Sequence, residues 1–156
     1  MRIAVISASA RQPDFIRAGF DEYARRFGGG IQLDLVEIPL PKRTRTAVLE
    51  RLITQEGERM LAAVPAGARV VALDERGRGW STIELAGRLE VWLAAAAPVA
   101  LLIGGPDGLA PACRERAEER WALSALTLPH GLVRVVVAEA LYRAMSVLKG
   151  HPYHRA

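Results

Sequence analysis

Short apolar runs alternate along the whole chain with segments whose apolar residues recur at helical spacing, and this alternation constrains the fold most. Helical spacing predicts helices at residues 16–27, 46–63, from the capping box at 81–84 onward, 111–120 and 132–148. The intervening apolar runs predict strands at residues 3–7, 31–38, 70–73, 99–103 and 121–128. Strands separated by helices favour an α/β fold with a parallel sheet. No linker or internal repeat interrupts the pattern, so we expect residues 1–156 to form one domain.

The composition and the lengths of the apolar runs exclude several classes of protein. A chain with 51% hydrophobic and 24% charged residues is typical of a packed globular domain. No apolar run reaches the roughly 20 residues that span a bilayer, because Pro98 interrupts the longest one. The N-terminal apolar stretch is too short for a signal peptide. The single cysteine, Cys113, excludes disulfide frameworks and cysteine-built zinc sites. We therefore expect a cytoplasmic protein that uses no membrane and no metal.

The charge balance leaves two explanations open. Arginine supplies all but two, Lys42 and Lys149, of the 21 basic residues, and the formal net charge is +4. Arginine binds phosphate in a bidentate manner, which favours a polyanionic partner. High-GC codon usage explains the same bias equally well, so the charge alone does not identify a partner.

Three predicted strand ends are candidates for a ligand site, because ligands of open α/β sheets bind beyond the carboxyl ends of the strands. They are residues 73–74, 103–108 and 126–130. Gly104 and Gly105 let the backbone approach a flat ligand closely, although an ordinary tight turn uses the same residues. Pro106 removes a backbone donor and no Gly-Lys-Ser/Thr follows, so the loop is neither a dinucleotide fingerprint nor a P-loop. We expect it to receive an uncharged adenosine rather than a diphosphate.

The last predicted helix carries two polar residues that need explanation. His130, just before it, is more often a structural hydrogen-bonding residue than a catalyst in such a position. Arg134 lies one turn into an apolar helix, where a charge has to be paired or has to face a partner. A helix that is apolar nearly all round is either central or covered by a second subunit. A homodimer is therefore one explanation for residues 132–148.

The C-terminal tail concentrates polar chemistry in five residues, 151–155, which read HPYHR. Two histidines without a third ligand make a weak metal site. Imidazole, phenol and guanidinium groups are better suited to stacking on a base and contacting phosphate. The alternative is a tail that docks against its own domain.

Four motifs in one order closely resemble the RlmH family of small SPOUT-class methyltransferases, which act on large-subunit ribosomal RNA. They are residues 101–109 (LLIGGPDGL), 123–130 (LSALTLPH), 141–144 (LYRA) and 151–155 (HPYHR). The similarity covers essentially the whole chain, including residues 37–39 (EIP) and 56–58 (EGE).

This resemblance implies S-adenosylmethionine as cofactor and methylation of N3 of pseudouridine 1915 in 23S ribosomal RNA, on the large subunit or the 70S ribosome. It also implies a parallel-sheet SPOUT fold with a C-terminal trefoil knot, and an obligate homodimer. The cofactor residues that it assigns, with Gly105 beside them, are Leu73, Gly104, Gly105, Leu123, Ser124, Ala125, Leu126, Thr127 and Leu128.

The same resemblance suggests how the tail takes part in catalysis. The N3 atom has to lose its proton and attack the cofactor's methyl group in line. As a hypothesis, Tyr153, His154 and Arg155 reach over the cofactor of the partner subunit, where His154 assists deprotonation and Arg155 neutralises charge. Candidates for phosphate contacts are Arg11, Lys42 and Arg43.

Two other functions compete with this interpretation. A ribosome-associated RNA-binding protein without catalysis needs only the basic surface. A nucleotide-using hydrolase on a flavodoxin-like sheet needs a phosphate loop or a nucleophile–base pair, and the sequence shows neither.

Overall fold

A five-stranded parallel sheet forms the centre of the protein in the computed structural model, which describes residues 1–155. The strand order is β2-β1-β4-β3-β5, and every recorded strand pairing is parallel. The strands are β1 (Arg2–Ala8), β2 (Gln32–Ile38), β3 (Arg69–Gly79), β4 (Val99–Ile103) and β5 (Glu119–Ala122). The predicted parallel α/β sheet is therefore confirmed.

Helices cover both faces of this sheet. They are α1 (Asp14–Ala24), α2 (Leu49–Ala62), α3 (Thr82–Ala95), α4 (Pro111–Arg116) and α5 (His130–Leu148), followed by a short 3-10 helix (Pro152–Arg155). Because side chains alternate along a strand, β1 sends Ile3 and Val5 into a core with α1, α3 and α5. Ala4 and Ile6 point into a second core with α2 and α4. Among the described residues, no helix is long and apolar enough to cross a membrane.

Two predicted boundaries at the edge of the sheet are wrong. Strand β5 covers only Glu119–Ala122 instead of 121–128, so residues 123–128 leave the sheet as a loop. Strand β3 continues to Gly79 instead of ending at residue 73, although residues 74–79 are all charged or glycine. A register shift explains this difference, because Trp121 is paired first with Leu73 and then with Arg78. The bulge absorbs the intervening residues and lets β3 resume its pairing.

The helices differ from the prediction mainly at their ends. Helix α1 ends at Ala24 instead of 27, α2 begins at Leu49 instead of 46, and α4 ends at Arg116 instead of 120. Helix α5 begins at His130, two residues earlier than predicted. Periodicity does not locate ends, because the first and last turns need not contribute to the buried face. The predicted capping box is confirmed: Glu84 N–H donates to Ser81 Oγ (3.1 Å) and Ser81 N–H donates to Glu84 Oε2 (2.7 Å).

Candidate functional site

A cavity of about 200 Å³ opens at the carboxyl-terminal edge of the sheet, between the loops that follow β4 and β5 and the middle of β3. Eight of the nine residues assigned to the cofactor line it; Ala125 does not, and it is exposed. The eight are Leu73, Gly104, Gly105, Leu123, Ser124, Leu126, Thr127 and Leu128. They converge because β4, β3 and β5 are neighbouring parallel strands, whose carboxyl ends share one edge. Their role in binding stays a prediction.

The glycine loop after β4 is both a tight turn and a wall of the cavity. Gly108 N–H donates to Gly105 O (3.0 Å), and Gly108 has a φ of +85°, which glycine adopts without strain. A Cβ on Gly104 would lie 2.6 Å from the backbone of Gly108 and Leu109. The loop can therefore fold back on itself only when residue 104 has no side chain.

An ionic cluster supports the same loop from behind. A Cβ on Gly105 would lie 2.7 Å from Glu56 Oε1, so the carboxyl group occupies the space of a side chain at position 105. Burial raises the pKa of Glu56, while the nearby Arg43 opposes that shift. Arg43 Nη2 donates to Asp107 Oδ2 (2.5 Å) and lies 3.8 Å from Glu56 Oε2. Arg43 thereby joins the basic loop after β2 to the glycine loop.

The loop after β5 lines the cavity and contains backbone groups that have no backbone partner. Within the described chain, residues 124–128 make no hydrogen bond to other backbone groups, and Leu126 N–H donates to Ser124 Oγ (2.9 Å). The remaining N–H and C=O groups of this loop are free to pair with the edge of a heterocycle. Apolar side chains beside them, such as Leu123 and Leu128, offer contacts to a ring.

Charged and titratable side chains complete the lining. Asp74, Glu75 and Arg114 line the cavity, and Arg114 Nε lies 3.8 Å from Asp74 Oδ2. His130 also lines it. Burial lowers the pKa of His130, and the positive charge of Arg134 lowers it further, so the neutral imidazole is favoured.

Arg134 is fully buried in α5 and paired, as its position in an apolar helix predicted. Its Nη2 donates to Ser7 Oγ (3.1 Å) and to Ser9 Oγ (2.7 Å), and Nη1 lies 3.5 Å from Glu37 Oε2. These contacts tie α5 to the carboxyl end of β1. The sequence provided no signal for Ser7 and Ser9, because nothing local indicates that a residue in the last helix approaches them.

The C-terminal 3-10 helix packs against α5 of its own chain. Tyr153 Oη donates to Glu139 Oε1 (3.2 Å), and the rings of Tyr153 and Tyr142 meet edge to face, with centroids 4.7 Å apart. Burial and the neighbouring Tyr23 and Glu139 raise the pKa of Tyr153 to about 12. Nδ1 of His154 lies 3.4 Å from Ser146 Oγ, and Arg155 is exposed.

None of the three predicted tail residues lines the cavity of its own chain. The single chain thus shows the docked tail that the sequence left as an alternative. The reach of the tail over a partner's cofactor stays a prediction. Within residues 1–155, no group of three or more His, Cys, Asp or Glu side chains is arranged to hold a metal ion.

A comparison with protein families decides the identity of the fold. The family model described as "Predicted SPOUT methyltransferase" matches residues 1–154. This chain is a SPOUT methyltransferase by family.

Solved structures show the same SPOUT fold at low sequence identity. A probable methylase family protein from Haemophilus influenzae Rd KW20 aligns with a TM-score of 0.55 and 16% identity, over 97% of this chain and 69% of that one. TrmJ from Z. mobilis ZM4 aligns with a TM-score of 0.54 and 15% identity, over 92% of this chain and 69% of that one. At such identities the likeness concerns the fold alone.

Sequence reasoning did not predict the contacts of three charged residues at this candidate site. Asp74 was recognised only as the end of a strand, and Arg114 was not singled out, because charged residues on a short helix are usually solvent-exposed. Arg43 was considered only for phosphate, although the structure pairs it with Asp107. For Asp74, the signal was available: it is a carboxylate directly after a buried apolar run, at the edge where ligands bind.

Proposed function

We propose that this SPOUT protein transfers a methyl group from S-adenosylmethionine to N3 of a pseudouridine in 23S ribosomal RNA, as RlmH proteins do. The observation that carries the proposal is the convergence of eight of the nine residues assigned to the cofactor around one cavity at the sheet edge. The proposed substrate rests on the four RlmH-like motifs, and the proposed reaction class rests on family membership. The proposal includes pseudouridine 1915 as the target, a C-terminal trefoil knot, a homodimer and a cytoplasmic location.

The residues of the cavity fit an adenosine. The unpaired backbone groups of residues 124–128 would bind the adenine edge, and the glycine loop would admit the nucleoside without a side chain in its way. Apolar contacts from Leu73 and Leu123 would exclude water from the ring. When bound, S-adenosylmethionine supplies an electrophilic methyl group on a sulfonium. The lining offers neither a P-loop nor a metal site for a triphosphate.

The tail contributes a proton acceptor in this proposal. Ser146 Oγ donates to Arg143 O (2.6 Å), so its lone pairs can accept a hydrogen bond from Nδ1–H of His154. That tautomer leaves Nε2 of His154 as the basic atom. Tyr153 keeps its proton at neutral pH, because its pKa is about 12, and so it acts as a hydrogen-bond donor. Arg155 is exposed and can neutralise the charge that develops on the uracil-like ring.

The second subunit would bring its tail to the cavity and cover exposed apolar side chains. Leu126 is 74% exposed beside the cavity, and Leu132 and Leu148 are partly exposed on α5. Other apolar residues of α5, such as Val137 and Leu141, are already buried in the core with α1, α3 and the sheet. A homodimer at this edge would bury Leu126 and place one subunit's tail near the other's cofactor.

Cofactor binding and rRNA analysis together test the function. Calorimetry should show that the protein binds S-adenosylhomocysteine. Ribosomes from a strain without the protein should accept methyl groups from labelled S-adenosylmethionine when the purified protein is added. Mass spectrometry of 23S rRNA from that strain should show an unmethylated pseudouridine at the target position. A protein that binds ribosomes but no cofactor would instead establish the non-catalytic RNA-binding function.

A further inference from the structure

Asp74 and Arg114 form an incomplete ion pair in the wall of the cavity. Arg114 Nε lies 3.8 Å from Asp74 Oδ2, which is beyond hydrogen-bond distance. The side chain of Asp74 is only 9% exposed. Two opposite charges therefore line the same cavity as an ion pair without a hydrogen bond between them.

Both groups keep unused hydrogen-bonding capacity. Asp74 Oδ1 accepts from the N–H of Arg76 (2.9 Å), and among the described residues this is the only hydrogen bond to the carboxylate. Within residues 1–155 the guanidinium of Arg114 donates no hydrogen bond, and its contact with a carboxylate is the 3.8 Å approach to Asp74. A carboxylate so nearly buried normally has several donors, so the free oxygen of Asp74 needs a ligand or water as partner.

Each charge is held in place by a well-defined local structure. Helix α4 carries Arg114 and begins at Pro111, whose ring favours the helical φ at the first turn. Nη2 of Arg114 lies beside Gly108, where a Cβ would be 3.8 Å away. Asp74 is held by the bulge of β3, where its own carboxylate binds the backbone two residues further on. The pair is thus preorganised next to the glycine loop.

We propose that this pair recognises the amino-acid end of S-adenosylmethionine. Asp74 binds the ammonium group, and Arg114 binds the carboxylate with two N–H groups of its planar guanidinium. The amino-acid end is a zwitterion, with an ammonium group and a carboxylate a short distance apart. This arrangement is complementary to the Asp74 carboxylate and the Arg114 guanidinium, which line one cavity without a hydrogen bond between them. The inference rests on the proposed function, because it assigns the second end of the ligand whose adenosine the backbone loops would hold.

This assignment also separates the cavity into two chemical halves. Backbone groups and apolar side chains of residues 123–128 receive the heterocycle, and the charged pair receives the polar tail of the ligand. Glu75 lines the cavity as well, but it is exposed and forms no ion pair among residues 1–155. We therefore assign the recognition of the ammonium group to Asp74 alone.

Two ligands that share the adenosine and the thioether test the assignment. S-adenosylhomocysteine carries the amino-acid end and 5′-methylthioadenosine lacks it. The wild-type protein should bind S-adenosylhomocysteine at least about tenfold more tightly, as expected for hydrogen bonds to charged groups. Asp74→Asn and Arg114→Gln should each weaken the affinity for S-adenosylhomocysteine about tenfold. The affinity of each variant for 5′-methylthioadenosine should change less than about twofold.

Arg116→Gln is the matched control, because it removes the same charge from α4 at a residue that pairs with Glu118 instead of lining the cavity. It should leave both affinities unchanged. Calorimetry measures the affinities, and thermal unfolding shows that each variant is folded.

Equal affinities of the wild-type protein for the two ligands would by themselves overturn the inference. Variants whose affinities for both ligands fall to the same extent would also overturn it. If the wild-type protein binds neither ligand, the proposed function fails instead. The two failures are therefore distinguishable.

Discussion

Arg134 is a buried charged residue that connects elements around the candidate site. It is fully buried, and its guanidinium links α5 to the hydroxyl groups of Ser7 and Ser9 at the carboxyl end of β1. Its Nε has no hydrogen-bond partner within the described residues. Burial alone would make this cation costly, so the nearby Glu37 and the two hydroxyls are what allow it to stay charged.

Arg134→Gln should lower the free energy of unfolding by about 3 kcal/mol, because the shorter neutral amide leaves the buried hydroxyls without their donor. Urea denaturation measures the change. Arg25→Gln, at the exposed end of α1, should change it by less than about 1 kcal/mol. Equal effects of the two substitutions would contradict the structural role of Arg134.

His130 predicts a pH dependence of stability. Its pKa in the folded protein is lowered, by burial and by Arg134, from the ordinary value of 6.5. The unfolded chain therefore binds a proton at a higher pH than the folded one, and the free energy of unfolding falls as the pH drops below about 6.5. In urea denaturation, His130→Gln should show a weaker loss between about pH 7 and pH 5.5. Parallel curves for the wild type and the variant would show that His130 does not contribute.

Strand β3 is the element in which local sequence and tertiary pairing differ most. Its second half looks like a loop, yet it pairs with β5 after a register shift. Gly77 makes this pairing possible, since a Cβ there would lie 2.7 Å from the backbone of Arg120. Because β5 leads directly into residues 123–128, the bulge also positions the loop that lines the cavity.

Gly77→Ala should destabilise the protein by about 2 kcal/mol and weaken S-adenosylhomocysteine binding, because the new methyl group pushes β5 away. Gly87→Ala is the matched control: it lies in α3 with no atom within 4 Å of the added Cβ. Helix propensity predicts a gain of up to about 1 kcal/mol for that variant. Thermal unfolding and calorimetry measure both effects, and a neutral Gly77→Ala would disprove the close approach.

The C-terminal 3-10 helix can be tested as a unit. Removal of residues 151–156 should abolish methyl transfer while cofactor affinity stays within about threefold, because tail residues do not line the cavity of their own chain. Tyr153→Phe serves as a milder variant, since it keeps the ring and removes only the hydroxyl group, which donates to Glu139. Methyl transfer to ribosomes measures turnover. Unaltered turnover of the truncated protein would rule out the catalytic tail.

At the scale of the whole molecule, the parallel sheet gathers the ends of separate strands on one edge. Arg11 follows β1 and Lys42 follows β2, and the cavity lies at the ends of the strands beside them. Neither side chain belongs to an ion pair among the described residues, whereas Arg43 is paired with Asp107. Arg11 and Lys42 are thus more available than Arg43 to bind the phosphates of an RNA backbone.

The combined variant Arg11→Gln, Lys42→Gln should flatten the salt dependence of RNA binding. Removing one cation that neutralises a phosphate lowers the slope of log affinity against log salt by about 0.7–0.9, so removing both should lower it by about 1.5. Fluorescence anisotropy with an rRNA fragment measures the slope. Arg25→Gln with Arg116→Gln removes the same charge at the opposite edge, and that pair should leave the slope unchanged.

Local pattern was sufficient for the elements and for much of the candidate site. Apolar periodicity depends on neighbours a few residues apart, so it located all five strands and the helices between them. In a parallel sheet all strands end at the same edge, so Leu73, Gly104 and residues 123–128 could be placed at one edge before the strand order was known. The boundaries of β3 and β5 could not be predicted in this way, because pairing across a bulge depends on a strand far away in the chain.

The amino-acid sequence by itself determined a parallel α/β chain with candidate ligand-binding loops at its strand ends. Only the tertiary structure decided which side chains meet there. Ser7 and Arg134 are 127 residues apart, and Asp74 meets Arg114 through the packing of α4 beside β3. Such pairs depend on sheet order and helix packing, which set distances between residues whose separation along the chain carries no local signal.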